Sequence, residues 1–136
     1  MSDANKQLVR DYLRAMASGD PKLPELFTED VTWWVPPSSP LGGLRQGKAA
    51  VLELMGSGIG LYDTTVPFGI EVEAIVADED WVALQMVMTA RTARGAAYRN
   101  YYHWAFRIRG GRICAVKEYV DTLYAQKMLF DGKGPE

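Results

Sequence analysis

Glu118 sits in the run Cys114, Val116, Glu118, Val120, where every second residue faces the same way if the segment is a strand. Three of those four are apolar, so that side faces inward and takes the carboxylate with it. A carboxylate among Val116, Val120, Trp104 and Tyr102 loses hydration, and its pKa rises. That is how a protein keeps an acid or base poised near neutral pH. The stretch 98–109 alternates in the same manner, with Tyr98, Asn100, Tyr102, Trp104, Phe106 and Ile108 on one face. It puts Tyr102 beside Glu118 on a neighbouring strand, where a phenol could hold the oxygen of a developing enolate. Asn100 would orient a substrate, and Trp33 and Trp104 would wall the pocket. The structural alternative is an ion pair between Glu118 and Arg99 or Arg91, serving stability alone.

Other reactive residue types point elsewhere. His103 is the only histidine, and its register puts it with Arg99, Tyr101, Arg107 and Arg109 on the opposite, charged face. Asp121 ends the last strand and reads as the cap of a following helix. Arg91, Arg94 and Arg99 gather around a turn at Gly95 and read as a solvated hairpin tip, or as a hold for an anionic substrate tail. Gly56, Gly58 and Gly60 follow a helix instead of opening one, so they make no phosphate cradle. One cysteine (Cys114) and one histidine all but exclude a structural zinc site. No serine elbow, redox cysteine pair or paired-histidine helix is present.

The elements that must position these groups follow from patterning. A chain of 136 residues, 48% hydrophobic and 24% charged, has the makeup of one globular domain, here 1–136. Net charge −2 supplies no basic field for a nucleic-acid backbone. No apolar run approaches a membrane span, the first residues lack a secretory layout, and the lone cysteine fits a reducing, cytoplasmic setting. Leu8, Tyr12 and Ala15, with Val9, Leu13 and Met16, predict a helix over 3–18 that Gly19-Asp20-Pro21 stops. A short helix over 23–27 and a strand over 30–35 follow. Residues 36–47 read as a long loop, and a helix over 48–55 ends at the glycines. After Pro67 the period becomes two: Phe68, Ile70, Val72, Ala74 and Val76 alternate, then strands follow over 81–89, 98–109 and 113–121, and a final helix over 123–130. Gly110-Gly111 predicts a tight hairpin. Helices first and an antiparallel meander after them mean α+β: a curved sheet with three helices on one face enclosing a cone-shaped pocket, as in a cystatin-like roll.

This order, the N-terminal Asp11-Tyr-Leu-Arg-Ala-Met-Ala-Ser-Gly-Asp20, the Leu26-Phe-Thr-Glu-Asp30 segment and the ending Tyr98 to Thr122 resemble the nuclear transport factor 2-like superfamily. The likeness is to its SnoaL-like and ketosteroid-isomerase-like branch, and it covers nearly the whole chain. It implies the fold but leaves the reaction open, because this scaffold hosts isomerases, dehydratases, cyclases, epoxide hydrolases and non-enzymes. Tyr12 matches the ketosteroid-isomerase tyrosine, but Val35 and Trp104 stand where the base and the second aspartate belong. Against limonene-epoxide hydrolases, Glu118 matches one acid, whereas Gln85 replaces the arginine, Val87 the other acid, and Trp33 and Val35 the tyrosine and asparagine. Neither pattern is intact. The SnoaL-like cyclases depend mainly on one late-strand acid, and Glu118 is its counterpart.

These readings lead to a cofactor-independent lyase, isomerase or cyclase acting on a small, apolar or polyketide-like carbonyl compound. Glu118, Tyr102 and Tyr12 would be catalytic; Trp33, Gln85, Asn100, Trp104, Val35 and Val87 would contact substrate; no metal or other cofactor is required. The alternatives are a non-catalytic binder of an apolar or aromatic ligand, or a dimeric interaction module whose cone is filled by side chains. The convex sheet face, through Tyr101, His103 and Arg107, would cover itself by forming a homodimer.

Overall fold

In the computed structural model, which describes residues 2–131, three helices and a curved, open six-stranded sheet share one core. The sequence-derived domain 1–136 extends past these residues at both ends. Helix α1 (Ser2–Ser18) buries Val9, Tyr12, Leu13 and Ala15, the stripe its spacing predicts. The short helix expected next is a single 3-10 turn, Leu23–Leu26, because Phe27 already pairs with Ile113 in the sheet. Strand β1 (Phe27–Val35) therefore starts earlier than its β-branched and aromatic run.

The expected loop over 36–47 contains a further strand, β2 (Gly43–Gln46), paired antiparallel with β1. Its four residues are too few for period-two patterning to show. Helix α2 (Lys48–Ile59) does not stop at Gly56 but runs through the glycines, held by packing that propensity does not supply. Strands β3 (Gly69–Asp78), β4 (Trp81–Arg91), β5 (Ala97–Arg109) and β6 (Arg112–Val120) form the meander. Gly110 and Gly111, both at positive φ (60° and 76°), make the β5–β6 hairpin turn that the dipeptide predicts. The chain then closes with α3 (Thr122–Ala125), which continues into a π-helical turn over Gln126–Phe130.

The sheet order is β2-β1-β6-β5-β4-β3. Every neighbouring pair is antiparallel except β1 and β6, so the sheet is mixed, not wholly antiparallel. The long excursion from β1 through α2 and the meander lets β6 return alongside β1 in the same direction. Two bulges alter the expected facing. In β6, Arg107 pairs with Ala115 but Ile108 with Ile113, leaving Cys114 as the extra residue. Ile113, fully buried, thus takes the inward place that alternation assigns to Cys114. In β3 the extra residue is Glu73, so Ile75 and Ala77 pack on the core while Ala74 and Val76 face out.

Helix α1 lies over β3 and β4, and α2 over β1 and β2. Between them Tyr12 anchors an aromatic nucleus with Phe27, Trp33, Trp104 and Phe106, its ring centroid 5.6–6.4 Å from theirs. Tilted and edge-on pairs of this kind contribute about 0.5–1.5 kcal/mol each beyond area burial. No described helix is long and apolar enough to cross a membrane.

Candidate active site

One end of this nucleus stays open as a cavity of about 150 Å³ between the helices and the concave sheet face. Strand β6, beyond its bulge, turns Glu118 into it, and Trp104 of β5 lies directly opposite in register. Trp33 of β1, paired with Val116, brings its indole across. Trp33 Nε1–H donates to Glu118 Oε1 at 2.9 Å. Among the described residues Glu118 makes no salt bridge; Arg91 instead donates to the Gly95 carbonyl and Arg99 lies over the Tyr101 ring. The proposed stabilising ion pair is therefore not formed. Burial raises the Glu118 carboxyl from its ordinary 4.5 to about 7, and the Trp33 bond offsets only part of that rise.

Facing this acid is a group of tyrosine hydroxyls. Tyr98 Oη and Tyr102 Oη are 2.8 Å apart, and Tyr62 lies against both. Burial raises all three phenol pKa values, so each stays a hydrogen-bond donor. Asn100 fixes the cluster from behind. Its Nδ2 donates to Tyr98 Oη at 2.9 Å and to the Asp121 carbonyl, while its Oδ1 accepts the Tyr101 N–H. The Asn100 N–H occupies one acceptor site of the Tyr98 oxygen, and either hydroxyl can be the donor in the Tyr98–Tyr102 bond. Tyr12 is fully buried, lines the cavity from α1, and has only the Met55 sulfur, 4.0 Å away, as acceptor.

Six of the nine residues expected at the site therefore meet there: Tyr12, Trp33, Val35, Tyr102, Trp104 and Glu118. Three do not. Gln85 and Val87 stand on the convex face of β4, with Gln85 opposite His103 and Val87 opposite Tyr101; the inward partners are Leu84, Met86 and Met88. Asn100 is wholly buried behind the tyrosines, out of reach of a ligand. Three polar residues of the cavity, Ser39, Tyr62 and Tyr98, were not among the expected site residues. Tyr98 carried a signal, since it shares the face of Tyr102. Tyr62 carried none: it follows the glycines, and only an isolated bridge to Thr92 brings it to the site.

The long 36–47 segment contributes Ser39 and Leu41 to the rim, and the C-terminal turn contributes Leu129 and Phe130. That turn is held by Asp121, which caps α3 through the Tyr124 N–H, and by Arg94, which donates to the Met128 carbonyl. Asp121 thus has the capping place its position suggests. Among the described residues no three His, Cys, Asp or Glu side chains gather as a metal site.

Comparison with known families settles the kinship of this arrangement. The sequence pattern of the SnoaL-like domain matches residues 9–116. The chain belongs to the SnoaL-like family. Among solved structures, this SnoaL-like domain is similar to Bal32a from a soil-derived mobile gene cassette: 26% identity, TM-score 0.80, covering 93% of this chain and 97% of that one. A nuclear transport factor 2-like protein from Burkholderia xenovorans LB400 matches at 25% identity and TM-score 0.76, covering 95% and 98%. A putative SnoaL-like polyketide cyclase from Jannaschia sp. CCS1, 11% identical, shares the fold at TM-score 0.80 over 96% and 94%. No curated protein matches the sequence.

Proposed function

We propose that this SnoaL-like domain is a cofactor-independent lyase, isomerase or cyclase that moves a proton next to a carbonyl, with Glu118 as the acid and base. The observation that carries this reading is a cavity-lining carboxyl with no cationic partner among the described residues, whose pKa of about 7 populates both protonation states near neutral pH. In its ionised form Glu118 takes a proton from the carbon beside the carbonyl. The C–H electron pair becomes the C=C bond of the enolate, and the carbonyl oxygen gains the charge. Tyr102, backed by Tyr98, donates to that oxygen, and Tyr12 is a second donor on the helix side. Glu118 then returns the proton to the same or another carbon, and the carboxylate base is regenerated. The kinship to a protein described as a putative polyketide cyclase is in keeping with such chemistry.

The test is solvent-deuterium exchange at the α-carbon of a panel of cyclic and aryl methyl ketones, followed by NMR. Wild type should accelerate exchange at least about 100-fold over Glu118→Gln, the usual size of a general-base contribution. The rate should rise with pH through about 7, because the base form is needed. Equal rates for the two proteins would transfer the domain to the non-catalytic ligand-binding reading. An interaction module with a filled cone gains no support from a fold that retains a 150 Å³ cavity.

The convex face fits a second copy of the chain. Tyr101 and Tyr119, 55% and 45% exposed, flank His103 there, with Val76 and Trp81 also exposed. Arg107 is held over Trp81 by its ion pair with Asp80, which leaves an aromatic surface with little free charge at that edge.

A further inference from the structure

The substrate class can be narrowed by what the cavity wall lacks. Among the described residues lining it, Glu118 is the only one that ionises near neutral pH; no lysine, arginine or histidine faces inward. The two arginines near the rim are committed to backbone. Arg45 donates to the Leu41 and Gly42 carbonyls, and Arg94 to that of Met128. A carboxylate, phosphate or sulfate entering this space would meet no compensating cation among the described residues and would face the Glu118 carboxyl, which ionises near neutral pH. The cost of bringing an unpaired anion out of water applies in full.

The hydroxyls of Tyr98 and Tyr102, pinned by Asn100, offer a hydrogen bond to an acceptor oxygen such as that of a carbonyl group. Size adds a third limit. About 150 Å³ is the volume that a benzene-sized molecule occupies, below the ~300–1,000 Å³ usual for larger ligands. The walls that would have to yield to a fused-ring ligand are Leu129 and Phe130, on the turn that Arg94 and Tyr124 tie down.

We propose, resting on the functional reading above, that the cavity selects a single-ring carbonyl compound without an anionic group, its oxygen on the Tyr98–Tyr102 pair and its α-carbon toward Glu118. Acidic compounds and three-ring polyketides are excluded.

Isothermal titration calorimetry with three probes tests this: acetophenone, benzoate and the three-ring ketone anthrone, each at pH 6 and pH 8. Acetophenone should bind with an affinity that changes less than threefold between the two pH values. Benzoate should bind at least tenfold more weakly, and weaker still at pH 8, and anthrone should neither bind nor displace acetophenone. In Glu118→Gln the pH dependence of benzoate binding should vanish. Benzoate binding as tightly as acetophenone overturns the proposal, as does anthrone displacing it or acetophenone failing to bind. The two readings fail separately. Selective acetophenone binding without α-deuterium exchange removes the catalytic reading and leaves the ligand class. Exchange confined to ketones that also carry a carboxylate does the reverse.

Discussion

A carboxyl whose pKa is raised by folding must make the fold less stable as pH increases, and this gives a test of Glu118 that needs no substrate. In the unfolded chain Glu118 titrates near its ordinary 4.5; in the folded protein it holds its proton to about 7. Below pH 4.5 both states are protonated and the group contributes nothing to pH dependence. Between the two values the unfolded chain releases a proton that the folded one retains, so stability falls as pH rises. The fall is complete above pH 7, and it is worth about 3 kcal/mol at 1.36 kcal/mol per pKa unit. Glu118→Gln removes the titration while leaving an oxygen to accept the Trp33 N–H. Urea unfolding of both proteins at half-unit steps from pH 4.5 to 8.5 reads the difference directly. The variant should equal the wild type within about 1 kcal/mol at the acid end and exceed it by about 3 kcal/mol at pH 8. A difference that stays constant across the range would refute the reasoning, since it would mean a solvated carboxyl or one paired in solution.

Two further outcomes follow from single contacts. Tyr12→Phe removes a hydroxyl whose one partner is a thioether sulfur, so thermal unfolding should show a loss under about 1 kcal/mol while α-exchange slows; a loss above about 2 kcal/mol would place Tyr12 in the core alone. Tyr119→Glu puts a carboxylate on the convex face beside His103, and light scattering should report a dimer for the wild type and a monomer for the variant; a monomeric wild type or a dimeric variant would remove that face as an interface.

Glu73 and Cys114 show where sequence reading of this sheet runs out. Alternation in β5 is unbroken from Tyr98 to Ile108, and every residue it sends inward is buried. In β3 and β6 one inserted residue each reverses the alternation, and nothing in the local sequence marks the insertion. Glu118 faces in because it lies on the Val116 side of the Cys114 bulge. Strand β4 does carry an orienting pattern, Val82, Leu84, Met86 and Met88 against Ala83, Gln85, Val87 and Thr89. Gln85 and Val87 came instead from family resemblance and stand on the convex side.

By itself, the sequence determined the element order apart from β2, the α1 stripe, the Gly110-Gly111 hairpin, and one inward acid beside a tyrosine. Each is local, set by a period of two or 3.6 residues or by the φ that glycine permits. Only the tertiary structure decided that Glu118 meets an indole N–H and no arginine, and that Tyr62 reaches Tyr98 and Tyr102. It likewise placed Asn100 behind the site, anchoring the tyrosines. Those outcomes depend on contacts between residues far apart in the chain, Trp33 with Glu118 and Tyr62 with Tyr98 among them, whose geometry depends on sheet curvature and bulge position, which periodicity does not encode.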